Sequence, residues 1–256
     1  KVAPHIGGTN QHKPKGFNLK KHGLKPIKIH VWHDWIFINI NGKAKKFEEY
    51  AKPLFSKFKD LDLNKIKYAA TLDFGKINTN WKFLIENFIE PYHVQFVHKT
   101  TTNQPLKDHY TIVDGICYGS GVNVNKEDNK NNNALSVSSK YLSLFPNFII
   151  GTYYPNQIGV YLNVPIGPSI TSQKRIIYTT DGKFMSKEEI DITKKIWWSV
   201  HKEDHEMCER LQEGRSSPAS KQGGLLSPHW ETSVHAFQKL IINATLKGKK
   251  NVQKYK

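Results

Sequence analysis

The segment from Asn80 to His98, with the sequence NWKFLIENFIEPYHVQFVH, concentrates the side chains best suited to chemistry. Glu90 and His93 are three residues apart, so on a helix they occupy neighbouring positions on one face. His93 and His98 are five residues apart, about 140° around an ideal helix, which is a poor spacing for binding one metal ion. Pro91 removes a helical hydrogen bond and predicts an irregular helix. A widened turn, or a helix that ends between the histidines, would bring their rings together; otherwise they are ordinary surface or core residues.

A long predicted helix, residues 186–213, adds a carboxylate. Its apolar side chains repeat at helical spacing and form one stripe: Ile196, Trp197, Val200, Met207, Cys208 and Leu211. Asp204 lies within that stripe, where a carboxylate is costly unless it is paired or binds a metal. Two interpretations stay open, a hydrogen bond of Asp204 to an arginine or a backbone amide, and metal binding beside His93 and His98. Two histidines and one carboxylate form the facial triad of non-haem Fe(II) oxygenases.

Composition limits the classes of partner. The 256 residues suffice for one large domain with a core, and the net charge of +16 permits nucleic acid or anionic lipid as partners. However, only Arg175, Arg210 and Arg215 are arginines, the residue favoured for bidentate recognition of phosphates and bases, and the lysines are scattered. We therefore predict a solvated basic surface and no nucleic-acid partner.

Other classes of protein are excluded by what the sequence lacks. No stretch approaches 18 apolar residues and no N-terminal signal peptide is visible, so we expect a cytoplasmic protein without a membrane partner. Two cysteines, Cys117 and Cys208, exclude a disulfide framework and a four-cysteine metal cluster held by this chain alone.

The elements that must position these residues follow from periodicity. Strands are predicted at residues 27–41 (with a turn at Asn41-Gly42), 68–74, 110–118, 148–165 and 175–180, and helices at 47–60, 81–97, 186–213 and 228–246. This order predicts an α+β fold, an antiparallel sheet flanked by long helices. The domain boundaries that we predict are an N-terminal arm at 1–25, one domain at 26–246 and a basic tail at 247–256.

Several short motifs share the spacing of one known family. They are Asn80-Trp81-Lys82, Glu86-Asn87-Phe88, Glu90-Pro-Tyr92-His93 with His98, Glu203-Asp204 with Cys208-Glu209 and Gln212-Glu-Gly214, Leu226-Ser227-Pro228 with Glu231, and the sheet segments Phe145-Pro146-Asn147, Tyr154-Pro155-Asn156 and Pro165-Ile-Gly167-Pro168. In these motifs the chain resembles, from about Ala3 to Leu246, the catalytic domain of the Rieske non-haem iron oxygenases, the large or alpha subunits of aromatic-ring-hydroxylating dioxygenases. Glutamate at position 90, where most ring dioxygenases have aspartate, is more similar to the choline, betaine and carnitine oxygenase branch.

The resemblance implies a helix-grip-like fold and assigns roles. It implies that His93, His98 and Asp204 bind a mononuclear Fe(II), that Asn87 lies near the iron, and that Glu90 links the site to a neighbouring subunit's cluster. Family members carry a Rieske domain whose C-x-H and C-x-x-H pairs bind a [2Fe–2S] cluster. This chain has neither pair. We therefore expect the catalytic part of a longer protein, incomplete without its [2Fe–2S] domain.

The implied activity is oxygenation of a small molecule. Such an enzyme uses Fe(II), O2 and electrons from a reductase or ferredoxin to hydroxylate, or oxidatively demethylate, an aromatic or quaternary-ammonium substrate, and in full-length form it is a homotrimer. The alternative is a metal-free module of the related helix-grip fold that binds hydrophobic ligands. Iron content distinguishes the two.

Other aromatic and histidine side chains lie near the predicted site. Five aromatic residues are candidates for a cage around a quaternary ammonium, or else for plain core: Tyr153, Tyr154, Tyr161, Trp197 and Trp198. His201 and His205 flank Asp204 outside the apolar stripe, and we predict that they are structural or solvent-facing.

Overall fold

The computed structural model of the protein describes residues 15, 16, 18, 21–102, 104–123, 139–153 and 156–253. The chain divides into two compact units, residues 1–50 and residues 51–256. Most of the predicted arm at 1–25 and the last residues of the predicted tail at 247–256 lie outside the described residues. The predicted domain boundaries therefore stay a prediction.

The first unit contains a two-stranded antiparallel hairpin. Strand β1 (Lys28–Trp32) pairs with β2 (Trp35–Asn39). The chain reverses at His33, which adopts a left-handed φ of 52°. The prediction of one strand over 27–41 is wrong, because the apolar alternation continues on both sides of the short turn at His33 and hides it. The predicted turn at Asn41-Gly42 is confirmed: it follows β2, with Gly42 at a φ of 66° and its N–H donating to Asn39 O.

The second unit contains a seven-stranded antiparallel sheet with the strand order β3-β9-β8-β7-β6-β5-β4. Its strands are β3 (Lys67–Ile77), β4 (His109–Asp114), β5 (Cys117–Val122), β6 (Ser139–Leu144), β7 (Phe148–Tyr153), β8 (Gln157–Gly167) and β9 (Ile170–Thr179). This confirms the predicted antiparallel sheet flanked by helices. The strand predicted at 110–118 is a hairpin, because Gly115, with a φ of 61°, turns the chain between β4 and β5. Strand β6 was not predicted.

Five α-helices are described: α1 (Phe47–Phe55), α2 (Trp81–Ile89), α3 (Val94–Val97), α4 (Lys187–Ser216) and α5 (Thr232–Gln253). Helix α4 begins at a capping box of Ser186 and Glu189, and α2 begins at the cap Asn80. The helix predicted over 81–97 is interrupted after Ile89. In the described part of the chain, no helix combines the length and the apolar character that a bilayer crossing requires.

The helices pack on the sheet and on one another. Helix α2 contacts α4, α5 and strands β5, β6 and β8, while α4 packs against β3 and α5 against β4 and β5. A core cluster joins these layers: Ile85, Ile89, Tyr118, Ile149, Tyr161, Val234 and Phe237. Burying such side chains stabilises the fold by about 1.5–3 kcal/mol each. Helix α2 therefore packs between the sheet and both long helices, and its C-terminal end lies where they meet.

The buried side of α4 differs from the predicted stripe. The stripe residues Val200 and Cys208 are buried as predicted, but Ile196, Met207 and Leu211 are 53%, 40% and 38% exposed, whereas His201, outside the stripe, is buried. The prediction from apolar spacing misplaced the stripe because part of the side of α4 that faces the interior is polar. That part faces a cavity.

Candidate metal centre

The chain breaks its helical course between the two histidines. After α2 ends, Glu90 is extended, with φ −106° and ψ 140°, and Pro91 has no N–H to continue the ladder. His93 lies directly before the single turn of α3 and His98 directly after it, where its backbone N–H donates to Val94 O over 3.1 Å. The two imidazole centroids are 5.2 Å apart. A break in the helix therefore brings together rings that an ideal helix holds apart.

Helix α4 supplies the carboxylate. Asp204 Oδ1 lies 3.1 Å from His98 Nε2 and 3.5 Å from His93 Nε2, and one ligand-type atom of each residue lies within 4.8 Å of the others. Two ligand atoms about 2.1 Å from one ion and at right angles to it are about 3.0 Å apart, so these separations fit a shared metal ion. The donor set, two imidazole nitrogens and one carboxylate oxygen, fits iron of the facial-triad type.

Each histidine is held from behind by a second carboxylate. His93 Nδ1 donates to Glu90 Oε1 over 2.7 Å, and His98 Nδ1 donates to Glu203 Oε2 over 2.7 Å. When Nδ1 carries the proton, the lone pair of the neutral imidazole lies on Nε2, on the side of Asp204. Carboxylate partners of this kind orient metal-binding histidines and raise their basicity. The arrangement therefore prepares both Nε2 atoms to bind a cation.

Further hydrogen bonds fix these carboxylates. Asn87 Nδ2 donates to Asp204 Oδ1 over 2.8 Å, and the Thr101 hydroxyl donates to Glu203 Oε2 over 2.6 Å. Of the predicted site residues, the structure brings His93, His98, Asp204, Glu90 and Asn87 into one network. Sequence reasoning assigned no role to Glu203 or Thr101. The available signal for Glu203 was its position next to Asp204 on the same helix.

The buried charges of this network favour the protonated histidines and the ionised Asp204 carboxylate. Burial opposes the charged form of His98, but the hydrogen bonds and charges of Asp204 and Glu203 outweigh it and raise the pKa of His98 to about 9. Burial likewise opposes the charge on His93, and Glu90 and Asp204 nevertheless raise its pKa. Burial acts to raise the pKa of Asp204, yet the two histidines hold that pKa well below its usual range. Metal binding must therefore displace protons from the histidines.

A cavity of about 170 Å³ opens beside the three residues. Part of its wall is apolar: Leu84, Phe88, Ile149, Ile196 and Val200. Cavities of about 150 Å³ hold benzene-sized molecules, so a small organic ligand fits next to the His–His–Asp group.

The aromatic candidates divide. Tyr153, Tyr161 and Trp197 line the cavity, Trp198 is 51% exposed, and Tyr154 lies outside the described residues. His201 and His205 also line the cavity, and His201 is 4% exposed, so neither is solvent-facing as one of the two predicted alternatives had it. The reason is that α4 turns this part of its surface, together with Asp204, toward the cavity.

The Glu203 carboxylate gives a testable prediction. Changing Glu203→Gln removes the negative charge behind His98 and weakens the basicity of its Nε2. We expect Fe(II) affinity to fall roughly 10–100-fold with an unchanged fold, as for other partners of metal-binding histidines. Anaerobic competition with a chromogenic chelator measures it. Glu206→Gln, the same change at an exposed position of α4, serves as the control. Equal affinity of the Glu203→Gln variant and the unaltered chain would contradict the role.

Comparison with solved structures identifies the fold. The crystal structure of the quaternary ammonium Rieske monooxygenase CntA in complex with L-carnitine matches with a TM-score of 0.71 and 16% identity, over 94% of this chain and 66% of that one. The helix-flanked sheet is thus the fold of a Rieske oxygenase catalytic domain. Residues 59–245 match the family model described as the ring hydroxylating alpha subunit (catalytic domain). The chain belongs to this family.

Curated relatives agree with the predicted resemblance. Choline monooxygenase of Atriplex hortensis is 26% identical over 229 residues, which are 87% of this chain and 51% of that protein. Choline monooxygenase of Spinacia oleracea is 24% identical over 242 residues, which are 91% of this chain and 54% of that protein. The predicted resemblance to the family, with its inclination to the choline, betaine and carnitine branch, is confirmed. The chain spans about half the length of these relatives.

Proposed function

We propose that this chain is the catalytic part of an oxygenase that uses Fe(II), O2 and external electrons to hydroxylate or oxidatively demethylate a small organic molecule. The observation that carries the proposal is the convergence of His93 Nε2, His98 Nε2 and Asp204 Oδ1 at the wall of a cavity. The choline monooxygenases and the carnitine complex of CntA support substrates with a quaternary ammonium, and the family description supports aromatic rings. His93, His98 and Asp204 would hold the iron, which when bound would supply the activation of dioxygen.

The other polar residues hold this site in one geometry. Glu90 and Glu203 keep the protons of both imidazoles on Nδ1, and Asn87 fixes the orientation of the Asp204 carboxylate. Such preorganisation matters because small displacements of reacting groups are costly in rate. The apolar part of the wall, including Leu84 and Phe88, binds the hydrocarbon part of a substrate and excludes water.

Electrons must come from outside the described site. The chain has two cysteines, Cys117 in β5 and Cys208 in α4, both buried and without a disulfide. They do not form the two-cysteine, two-histidine set of a Rieske cluster. We propose that a [2Fe–2S] cluster outside this sequence, served by a reductase or ferredoxin, supplies the electrons in a homotrimer. Glu90 is then the link to the cluster, since it already hydrogen-bonds His93.

Nitric oxide, used as a surrogate for dioxygen, tests the proposal. We expect the chain loaded anaerobically with Fe(II) to bind one nitric oxide per iron and to give the half-integer-spin resonance of an iron–nitrosyl complex, because a three-residue ligand set leaves positions open. Electron paramagnetic resonance measures the signal.

Two results would contradict this function. Iron that binds without forming the nitrosyl complex would indicate a closed, structural metal site. A folded chain that binds no iron would favour the metal-free module for hydrophobic ligands.

A further inference from the structure

An arginine is completely buried beside the cavity. Arg175, in β9, has 0% exposure, and its Cζ lies 3.3 Å from the ring centroid of Trp197 and 4.5 Å from that of Tyr153. The backbone of β8 also lies against it, because a Cβ at Gly159 would come within 2.8 Å of Cζ and Nη2. The glycine thus makes the room that the guanidinium occupies. Three of the aromatic residues predicted for a cation cage, Tyr153, Tyr161 and Trp197, therefore already surround a cation of the chain itself.

Within the described part of the chain, only one nitrogen of this guanidinium has hydrogen-bond partners. Nη1 donates to the Tyr161 hydroxyl and lies 3.3 Å from His201 Nε2. Burial and the charge of Arg175 hold the pKa of His201 well below its usual value, so its ring is neutral and Nε2 can accept this bond. Nε and Nη2 are buried with no hydrogen-bond partner among the described residues. Nor does any carboxylate in the described part of the chain form an ion pair with Arg175.

The two unpartnered nitrogens belong to the same edge of the guanidinium. The N–H bonds of Nε and Nη2 project in parallel from that edge, at the spacing of the two oxygens of a carboxylate. A buried charge without a counter-ion is costly, so a ligand that supplies one gains binding energy. Tyr153, Tyr161, Trp197 and His201, which touch the guanidinium, also line the cavity that contains Asp204.

We propose that Arg175 is a specificity-determining residue that binds the carboxylate of the substrate through Nε and Nη2. This inference rests on the proposed function and narrows it to carboxylate-bearing molecules. The carboxylate reaches the guanidinium by displacing one of the rings that cover it, Tyr153 or Trp197. A purely cationic molecule is disfavoured, because the aromatic side chains that could surround it already hold the positive charge of Arg175.

Matched ligand pairs test the proposal by calorimetric binding, without turnover. Benzoate is compared with benzyl alcohol and glycine betaine with choline, so that each pair differs in the carboxylate and the two pairs separate aromatic from quaternary-ammonium sources. We expect at least one carboxylate to bind about tenfold or more tightly than its partner, as charge-assisted hydrogen bonds are lost in the alcohol. Arg175→Met should remove the preference, and Arg175→Lys, which keeps charge but not the parallel N–H pair, should restore it only in part. Arg210→Met, at an exposed position of α4, is the control.

Titrations are run on the iron-free chain and on the iron-loaded chain. Equal binding within both pairs by the unaltered chain overturns the inference, whether or not the Arg175→Met variant folds. A carboxylate preference that survives in folded Arg175→Met also overturns it. Because iron stoichiometry is measured separately, a preference that depends on Arg175 in a chain that binds no iron would reject the oxygenase function and keep the carboxylate site.

Discussion

The chain is expected to bind one Fe(II), and the double variant His93→Ala/Asp204→Ala is expected to bind none. Losing the carboxylate behind a metal-binding histidine costs about 10–100-fold in affinity, so losing two of the three ligand atoms should cost well over 100-fold. His98 would remain as a single imidazole, which cannot chelate. Removing a histidine together with Asp204 also avoids leaving both cationic rings without their shared anion, which favours folding of the variant.

Iron stoichiometry after anaerobic loading and gel filtration measures this effect, with circular dichroism to establish the fold. The matched control is His235→Ala/Asp191→Ala, in which both altered residues are exposed and lie on α5 and α4. The control should keep one iron. If the site variant keeps it too, the ligands lie elsewhere in the protein.

The variant Gly119→Ala is expected to lose much of its stability. A Cβ at Gly119, in β5, would lie 1.9 Å from the Tyr141 carbonyl oxygen and 3.0 Å from the Leu142 Cα. Both are backbone atoms of the paired strand β6, so no side-chain rotation relieves the overlap. We expect a loss of roughly 3 kcal/mol or more in the free energy of unfolding, at the upper end of overpacking effects.

Urea unfolding followed by circular dichroism measures the loss. Gly167→Ala, in β8, is the control, because no heavy atom lies within 4 Å of the Cβ position there. Its effect should stay within about 1 kcal/mol. Comparable stability of the two variants would show that β5 and β6 separate easily, in conflict with the close backbone pairing described above.

The sequence predicted the fold class because periodicity and element order are local properties. The same local character explains the errors. His33 reverses the chain within an unbroken apolar alternation, and Gly115 does so between two runs that read as one strand. The dipeptide Asp114-Gly115 was a turn signal within the second run, whereas no glycine or proline marks the turn at His33 in the first.

The sequence predicted which residues form the candidate site better than it predicted how they are arranged. Pro91 indicated an irregular helix, but the extended conformation of Glu90, which places His93 and His98 at opposite ends of one turn, depends on packing against α4. The buried position of Arg175 was beyond the sequence because it depends on Gly159 and Trp197, contributed by a neighbouring strand and a distant helix. The sequence feature that could have drawn attention to Arg175 is that the chain has only three arginines.

The order in which the site residues are synthesised has a consequence for which metal ion the chain binds. His98 and Glu203 are 105 positions apart, and Asp204 follows Glu203. At about 5–20 residues per second, His93 and His98 are made roughly 5–20 s before the carboxylates of α4. During this interval the nascent chain carries a pair of imidazoles without Asp204, a ligand set for which copper and zinc compete better than ferrous iron. The three-residue ligand set therefore exists only after α4 docks, and zinc bound by the histidines before that point should give protein loaded with the wrong ion in cells that overproduce the chain in zinc-rich medium.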